Sequence, residues 1–156
     1  MPRLSAAAKA ALIALFLLGF GNGAASAGVD IHIDKSSQRM TVAVDGVLRY
    51  TWKVSTGKRR YETPSGTFQP FRMEADHFST EWDDAPMPNS IFFTYQGHAI
   101  HGSPSPRRLG RAVSHGCVRL APEEAVTLYS LVEQQGMGNT KILILEGGIA
   151  DASDIY

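Results

Sequence analysis

Apolar and polar positions alternate through much of the chain after residue 28. Val29-Asp30-Ile31-His32-Ile33-Asp34 changes face at every step, Lys35 to Gln38 is polar, and Arg39-Met40-Thr41-Val42-Ala43-Val44 resumes the pattern. A period of two interrupted by a polar turn predicts two strands, each with one buried face. Asp45-Gly46 is a two-residue hairpin signal, since both residues tolerate the positive φ of such a turn, and it leads into a third strand over Val47 to Ser55. Beyond the polar loop Thr56-Gly57-Lys58-Arg59-Arg60 and the break Pro64-Ser65-Gly66, a fourth strand is predicted over Thr67 to Met73. Ser90 to Tyr95, His98 to His101 and Thr140 to Glu146 bring the count to about seven.

Two segments depart from this period. Glu74 to Asn89 holds Glu81, Asp83 and Asp84, two prolines and the aromatics Phe78 and Trp82, and reads as the longest irregular stretch; long ordered loops often carry function. Glu123 to Gln135 changes to a helical period, with Ala125, Val126, Leu128, Tyr129, Leu131 and Val132 on one broad face. Pro122 stands where a first-turn proline belongs and Gly136 where a helix stops. The chain is therefore expected to be mainly β, with one convincing helix and no internal repeat.

The N-terminus follows a different logic. Arg3 and Lys9 precede an apolar run from Ala10 to Phe20, and small residues end at Ala25-Ser26-Ala27. This is the pattern of a secretory signal peptide over residues 1–27, with cleavage expected after Ala27. The apolar run is shorter than the roughly 20 residues that cross a bilayer, so no membrane anchor is expected to remain. One domain is expected over residues 28–147, followed by a flexible tail over 148–156. The sequence has 15 Lys plus Arg and 15 Asp plus Glu; loss of Arg3 and Lys9 leaves a slight acidic excess and no electrostatic reason for a nucleic-acid partner.

Cys117 is the only cysteine, so no internal disulfide can form and an exported thiol must be buried or used. A lone cysteine is most often a small buried hydrophobe. Here it sits in Val113-Ser114-His115-Gly116-Cys117-Val118-Arg119-Leu120, where His115 and Arg119 are expected to favour thiolate over thiol. Upstream, Ala99-Ile100-His101-Gly102 supplies a second histidine, and cysteine with a distant histidine is the minimal dyad of thiol acyl transfer.

His101-Gly102 followed by Ser114-His115-Gly116-Cys117-Val118-Arg119-Leu120 resembles the active-site signature of the L,D-transpeptidases, the YkuD-type catalytic domain. Val54-Ser55-Thr56-Gly57, Thr63-Pro64-Ser65-Gly66-Thr67-Phe68 and Met87-Pro88-Asn89 agree with it, and the likeness extends from about Val29 to Glu146. The resemblance implies a single β-rich, sandwich-like domain with one main helix after the cysteine motif. It implies a secreted enzyme acting on the tetrapeptide stems of peptidoglycan, releasing the terminal D-alanine through a cysteine thioester and passing the acyl group to an amine. That amine would belong to a neighbouring stem, forming a 3-3 cross-link, or to an outer-membrane lipoprotein; hydrolysis of the same thioester would make a carboxypeptidase. No metal and no cofactor are implied. The expected location is the periplasm, or the extracellular wall in a Gram-positive cell.

By the same resemblance Cys117 is the nucleophile and His101 its proton acceptor and donor, oriented by a backbone carbonyl at Gly102 or Ser103. The N–H groups of Gly116 and Cys117 are candidate oxyanion donors, Ser114, His115 and Gly102 shape the site, and Arg119 meets a substrate carboxylate. His115 is alternatively a scaffold residue. His98 is expected on the strand face opposite His101, because their separation is odd. Arg107, Arg108 and Arg111 read as a solvated loop, with contact to anionic glycan strands as the alternative. Trp82 and Phe78 either line the substrate groove or pin their loop. Two rival functions are a zinc hydrolase using His98, His101, His115 and Cys117, against which stands the absence of an H-E-x-x-H helix, and a silent wall-binding module.

Overall fold

A computed structural model describes residues 27–147; apart from Ala27, the expected signal peptide lies outside them, as does the expected tail. Nine strands and one α-helix are formed among the described residues: β1 (Val29–Asp34), β2 (Arg39–Val44), β3 (Val47–Lys53), β4 (Gly66–Phe68), β5 (Arg72–Phe78), β6 (Pro86–Phe92), β7 (Ala99–Gly102), β8 (Val118–Leu120), α1 (Pro122–Gln135) and β9 (Thr140–Leu145). They make a five-stranded sheet in the order β3-β2-β1-β9-β4 and a four-stranded sheet in the order β5-β6-β7-β8. Most neighbours are antiparallel; β1 with β9 and β7 with β8 run parallel.

The apolar positions of β1 and β2 are buried as the alternation predicts, but the opposite face is covered as well, with His32, Asp34 and Thr41 buried. Ile31, Ile33, Met40 and Val42 are fully buried and meet Ile142 and Ile144 of β9, Ile91 of β6, Ile100 of β7 and Leu128 and Val132 of α1 in one apolar core. Asp45 takes the positive φ of 52° that its hairpin requires. Helix α1 starts at Pro122 and stops at Gly136, and it buries Ala125, Leu128 and Val132, while Val126 is half exposed. It packs against β6 and β7, behind the strand that carries His101.

Three expectations are corrected. The strand predicted over Thr67 to Met73 is two strands in different sheets, because Pro70 has no N–H for a ladder and the chain crosses there: β4 pairs with β9, whereas Phe71 N–H already bonds Phe92 O. The segment from Glu74 to Asn89 is a hairpin, β5 with β6, and only Ser79 to Ala85 forms its turn. Pro86 and Pro88 are tolerated in β6 because that half of the strand pairs with β5 alone; β7 reaches only Ile91 and Phe92. Finally, Val118–Leu120 forms the unpredicted strand β8, whose parallel pairing with β7 lies between residues far apart in sequence.

The two sheets are joined at β8. Just after β3, Ser55 exchanges both backbone hydrogen bonds with Arg119, and Gly57 bridges to Ser114.

Candidate active site

The register of β7 on β8 sets the geometry. Ile100 pairs with Val118 and His101 with Arg119. Because side chains alternate, Val118 and Leu120 enter the core, and Cys117 and Arg119 take the other face together with His101. That face lines a cavity of about 600 Å³. Its floor follows a row across the sheet: Cys117 stands one step before the Ile100–Val118 pair, Ala99 pairs with Phe92, and Phe92 pairs with Arg72. The Arg72 guanidinium lies over the Phe92 ring, 3.8 Å from its centre, and Arg72 also pairs with Glu74 at 3.4 Å. Three strand spacings of about 4.8 Å thus separate a cation at one end from the thiol at the other.

His101 is buried, and its Nδ1 lies 2.7 Å from the Gly102 carbonyl oxygen. A carbonyl only accepts, so Nδ1 carries the proton and Nε2 is left as the acceptor. Burial, with the nearby charges of Arg119 and His77 adding to it and the Gly102 bond opposing it, holds the imidazole down to about 4. Gly102 has no room for a side chain: a Cβ would meet Pro88 Cγ at 3.2 Å and the Ala125 Cβ at 3.3 Å.

The cysteine loop is held by hydroxyls. Ser114 Oγ donates to the Cys117 carbonyl at 2.5 Å and accepts the Gly116 N–H at 3.1 Å. Thr63 Oγ1 accepts the Gly57 N–H at 2.9 Å and donates to the Gly116 carbonyl at 2.7 Å. One buried threonine therefore ties the nearby Gly57 loop to the Gly116 loop, which is remote in sequence. Gly116 has φ 117°, and a Cβ there would lie 2.9 Å from the His98 ring, so both backbone and space call for glycine.

Burial pushes the Cys117 thiol up, against the Ala99 N–H and the charge of Arg119, with Glu81 adding to the rise. The expected bias toward thiolate is thereby corrected: Arg119 favours the thiolate but desolvation outweighs it, and burial with the charges of Lys58 and Arg119 pushes His115 down, away from its cationic form. Thiol and imidazole are both neutral near pH 7. Of the two candidate oxyanion donors, Gly116 N–H is already engaged by Ser114 Oγ.

His98 also departs from expectation. It precedes β7, where strand alternation does not apply, and it lines the same cavity as His101; Thr94 Oγ1 bonds its Nδ1 at 2.7 Å and its N–H at 3.1 Å. His115 stacks on Trp82, with ring centres 3.9 Å apart, and meets Tyr61 edge-on at 5.0 Å. Trp82 comes from the β5–β6 turn, so the stack draws that turn over the cavity. Phe78, by contrast, is exposed. The four residues considered for zinc do not converge: among the described residues no three His, Cys, Asp or Glu are grouped to hold a metal ion. No helix among them is long and apolar enough to cross a membrane.

The YkuD family profile, the L,D-transpeptidase catalytic domain, matches residues 28–144. The chain belongs to this family. YkuD of Bacillus subtilis strain 168 is 25% identical over 105 residues, covering 65% of this chain and 59% of its own length. YkuD of Bacillus licheniformis is 29% identical over 132 residues, covering 73% and 75%. An L,D-transpeptidase structure from Mycobacterium smegmatis superposes with TM-score 0.69 at 26% identity over 76% of this chain and 59% of that one. The chain thus spans about three fifths of the first of these relatives and of the solved structure. The YkuD-type fold, mainly β with one helix, is the architecture described above.

Sequence reasoning missed Arg72, Phe92, His77 and Thr63 as parts of the site. The first three reach it through cross-strand register. The Thr-Pro-Ser-Gly stretch was visible, but the bonds made by its threonine were not.

Proposed function

We propose that the chain is a secreted L,D-transpeptidase that uses Cys117 as nucleophile on peptidoglycan tetrapeptide stems. The observation that carries this reading is the shared face of Cys117, His101 and Arg119 on one cavity, with His101 Nδ1 fixed on Gly102 O and Nε2 left to accept a proton. In the first half-reaction His101 Nε2 takes the thiol proton as sulfur bonds the carbonyl carbon of the third stem residue. The C–N bond to D-alanine then breaks and His101 returns the proton to the departing amine. In the second, an acceptor amine gives its proton to His101, attacks the thioester and displaces sulfur, which is reprotonated. Cys117 N–H serves the oxyanion directly; Gly116 N–H joins it when Ser114 Oγ yields.

Arg119 is half-buried, forms no ion pair among the described residues, and suits a substrate carboxylate. The leader-like N-terminus supports export to the periplasm, and a neighbouring stem or a lipoprotein amine would be the acceptor. Hydrolysis of the same thioester by water is the second reading. Purified protein given disaccharide tetrapeptides tests both: dimers with free D-alanine are expected, tripeptides alone would make it a carboxypeptidase, and no release of D-alanine would overturn the reading.

A further inference from the structure

A dense group of cations is made by two loops that sequence reading treated separately. Lys58, Arg59 and Arg60 follow Gly57; Arg107, Arg108 and Arg111 lie in the connection between β7 and β8. The fold binds these segments side by side. Lys58 N–H bonds Ser114 O at 3.0 Å, Ser114 N–H bonds Thr56 O at 3.0 Å, Gly110 N–H bonds Val54 O at 2.8 Å, and Ser55 Oγ donates to Arg111 O at 2.7 Å. All six cationic side chains are exposed, and none forms an ion pair among the described residues. Six of the chain's 15 cationic residues therefore gather on one rim of a protein whose acidic residues number 15 as well.

The rim belongs to the cavity mouth. Lys58 and Arg60 lie 5.4 Å and 5.9 Å from the centre of the Tyr61 ring, and Tyr61 and Arg108 line the cavity. The β5–β6 turn, which carries Glu81, Asp83 and Asp84, adjoins this loop where Trp82 meets Tyr61 edge-on, with ring centres 5.4 Å apart. Of the six cations only Arg108 lines the cavity, so a short stem held inside it does not reach the other five. A polymer carrying repeated carboxylates does, and five guanidiniums and one ammonium suit carboxylates.

We infer that the 58–60 and 107–111 loops form a docking rim for the carboxylate-bearing peptidoglycan strand on either side of the stem being processed. The inference rests on the proposed function and concerns the intact wall as opposed to the excised stem. Clustered cations raise local substrate concentration and association rate by roughly 10 to 10³-fold, an effect that salt removes.

The test compares full-length protein with the variant R59Q/R60Q/R107Q/R111Q, which leaves Arg108, Arg119 and the thiol loop untouched. Thermal unfolding should be unchanged, since all four side chains are exposed. On soluble disaccharide tetrapeptide the variant should match wild type within about twofold, whereas co-sedimentation with intact sacculi at low salt should fall about tenfold. Raising salt should weaken wild-type sedimentation to the variant's level. Equal sedimentation of the two proteins at low salt would overturn the rim. So would rim-dependent binding to anionic phosphatidylglycerol vesicles with no binding to sacculi, which would make it a membrane surface. If D-alanine release from the soluble stem is absent in both proteins, the functional reading fails instead, and sedimentation still reports on the rim.

Discussion

Strands β7 and β8 and the β5–β6 hairpin face the same cavity, yet they are held in different ways. On the first side, His101, Cys117 and Arg119 are placed by a parallel ladder whose opposite face is core, and by buried hydroxyls on the cysteine loop. On the second, the turn from Ser79 to Ala85 meets the cysteine loop through side chains, chiefly Trp82 on His115 and Tyr61. The chemical groups thus sit on the rigid wall, and the shape of the entrance depends on a cover held by ring contacts.

The largest effect is expected at His101. His101→Gln keeps a side chain able to bond Gly102 O but lacks a base, so kcat should fall by roughly 10²–10⁴-fold with little change in KM; retention of kcat would move the base elsewhere. The second effect is on stability. The folded His101 value, about 4, is depressed below the ordinary 6.5, so the unfolded chain takes up a proton first as pH falls. Stability contributed by this neutral imidazole is complete above 6.5 and declines between 6.5 and about 4, by roughly 3 kcal/mol. In denaturant titrations across that range wild type should lose about 3 kcal/mol relative to His101→Gln as pH falls, and a constant difference between them would contradict the buried neutral ring. Ultraviolet absorbance of the thiolate should be missing near pH 7 and appear only above the ordinary thiol range. The smallest effect is expected on the cover: Trp82→Ala removes a stack worth about 0.5–1.5 kcal/mol and should raise KM several-fold with kcat nearly unchanged. A hundredfold loss of kcat would mean that the hairpin takes part in the chemistry.

The two sides also differed in how well they could be read from sequence. β1 and β2, the Asp45-Gly46 turn and α1 follow from short-range pattern, and the structure has them where the pattern says. The thiol side was legible because glycine, histidine and cysteine occur in one compact motif with His101-Gly102 upstream. The cover was not, because acids and prolines between Glu74 and Asn89 hide a ladder that survives by pairing β6 on one side only. His98 was misplaced by extending strand periodicity one residue past the strand's start. The protonation state of Cys117 was misjudged for a related reason: charged neighbours are visible in a sequence, whereas the burial that outweighs them depends on elements brought together by the fold.

The most direct test of the central claim is the intact mass of the protein after exposure to a tetrapeptide donor without an amine acceptor. An adduct equal to the donor less D-alanine is expected, located at Cys117 by peptide mapping and missing in Cys117→Ala, with a carbapenem labelling the same residue. Release of D-alanine by Cys117→Ala at the wild-type rate, with no adduct on either protein, would contradict the claim.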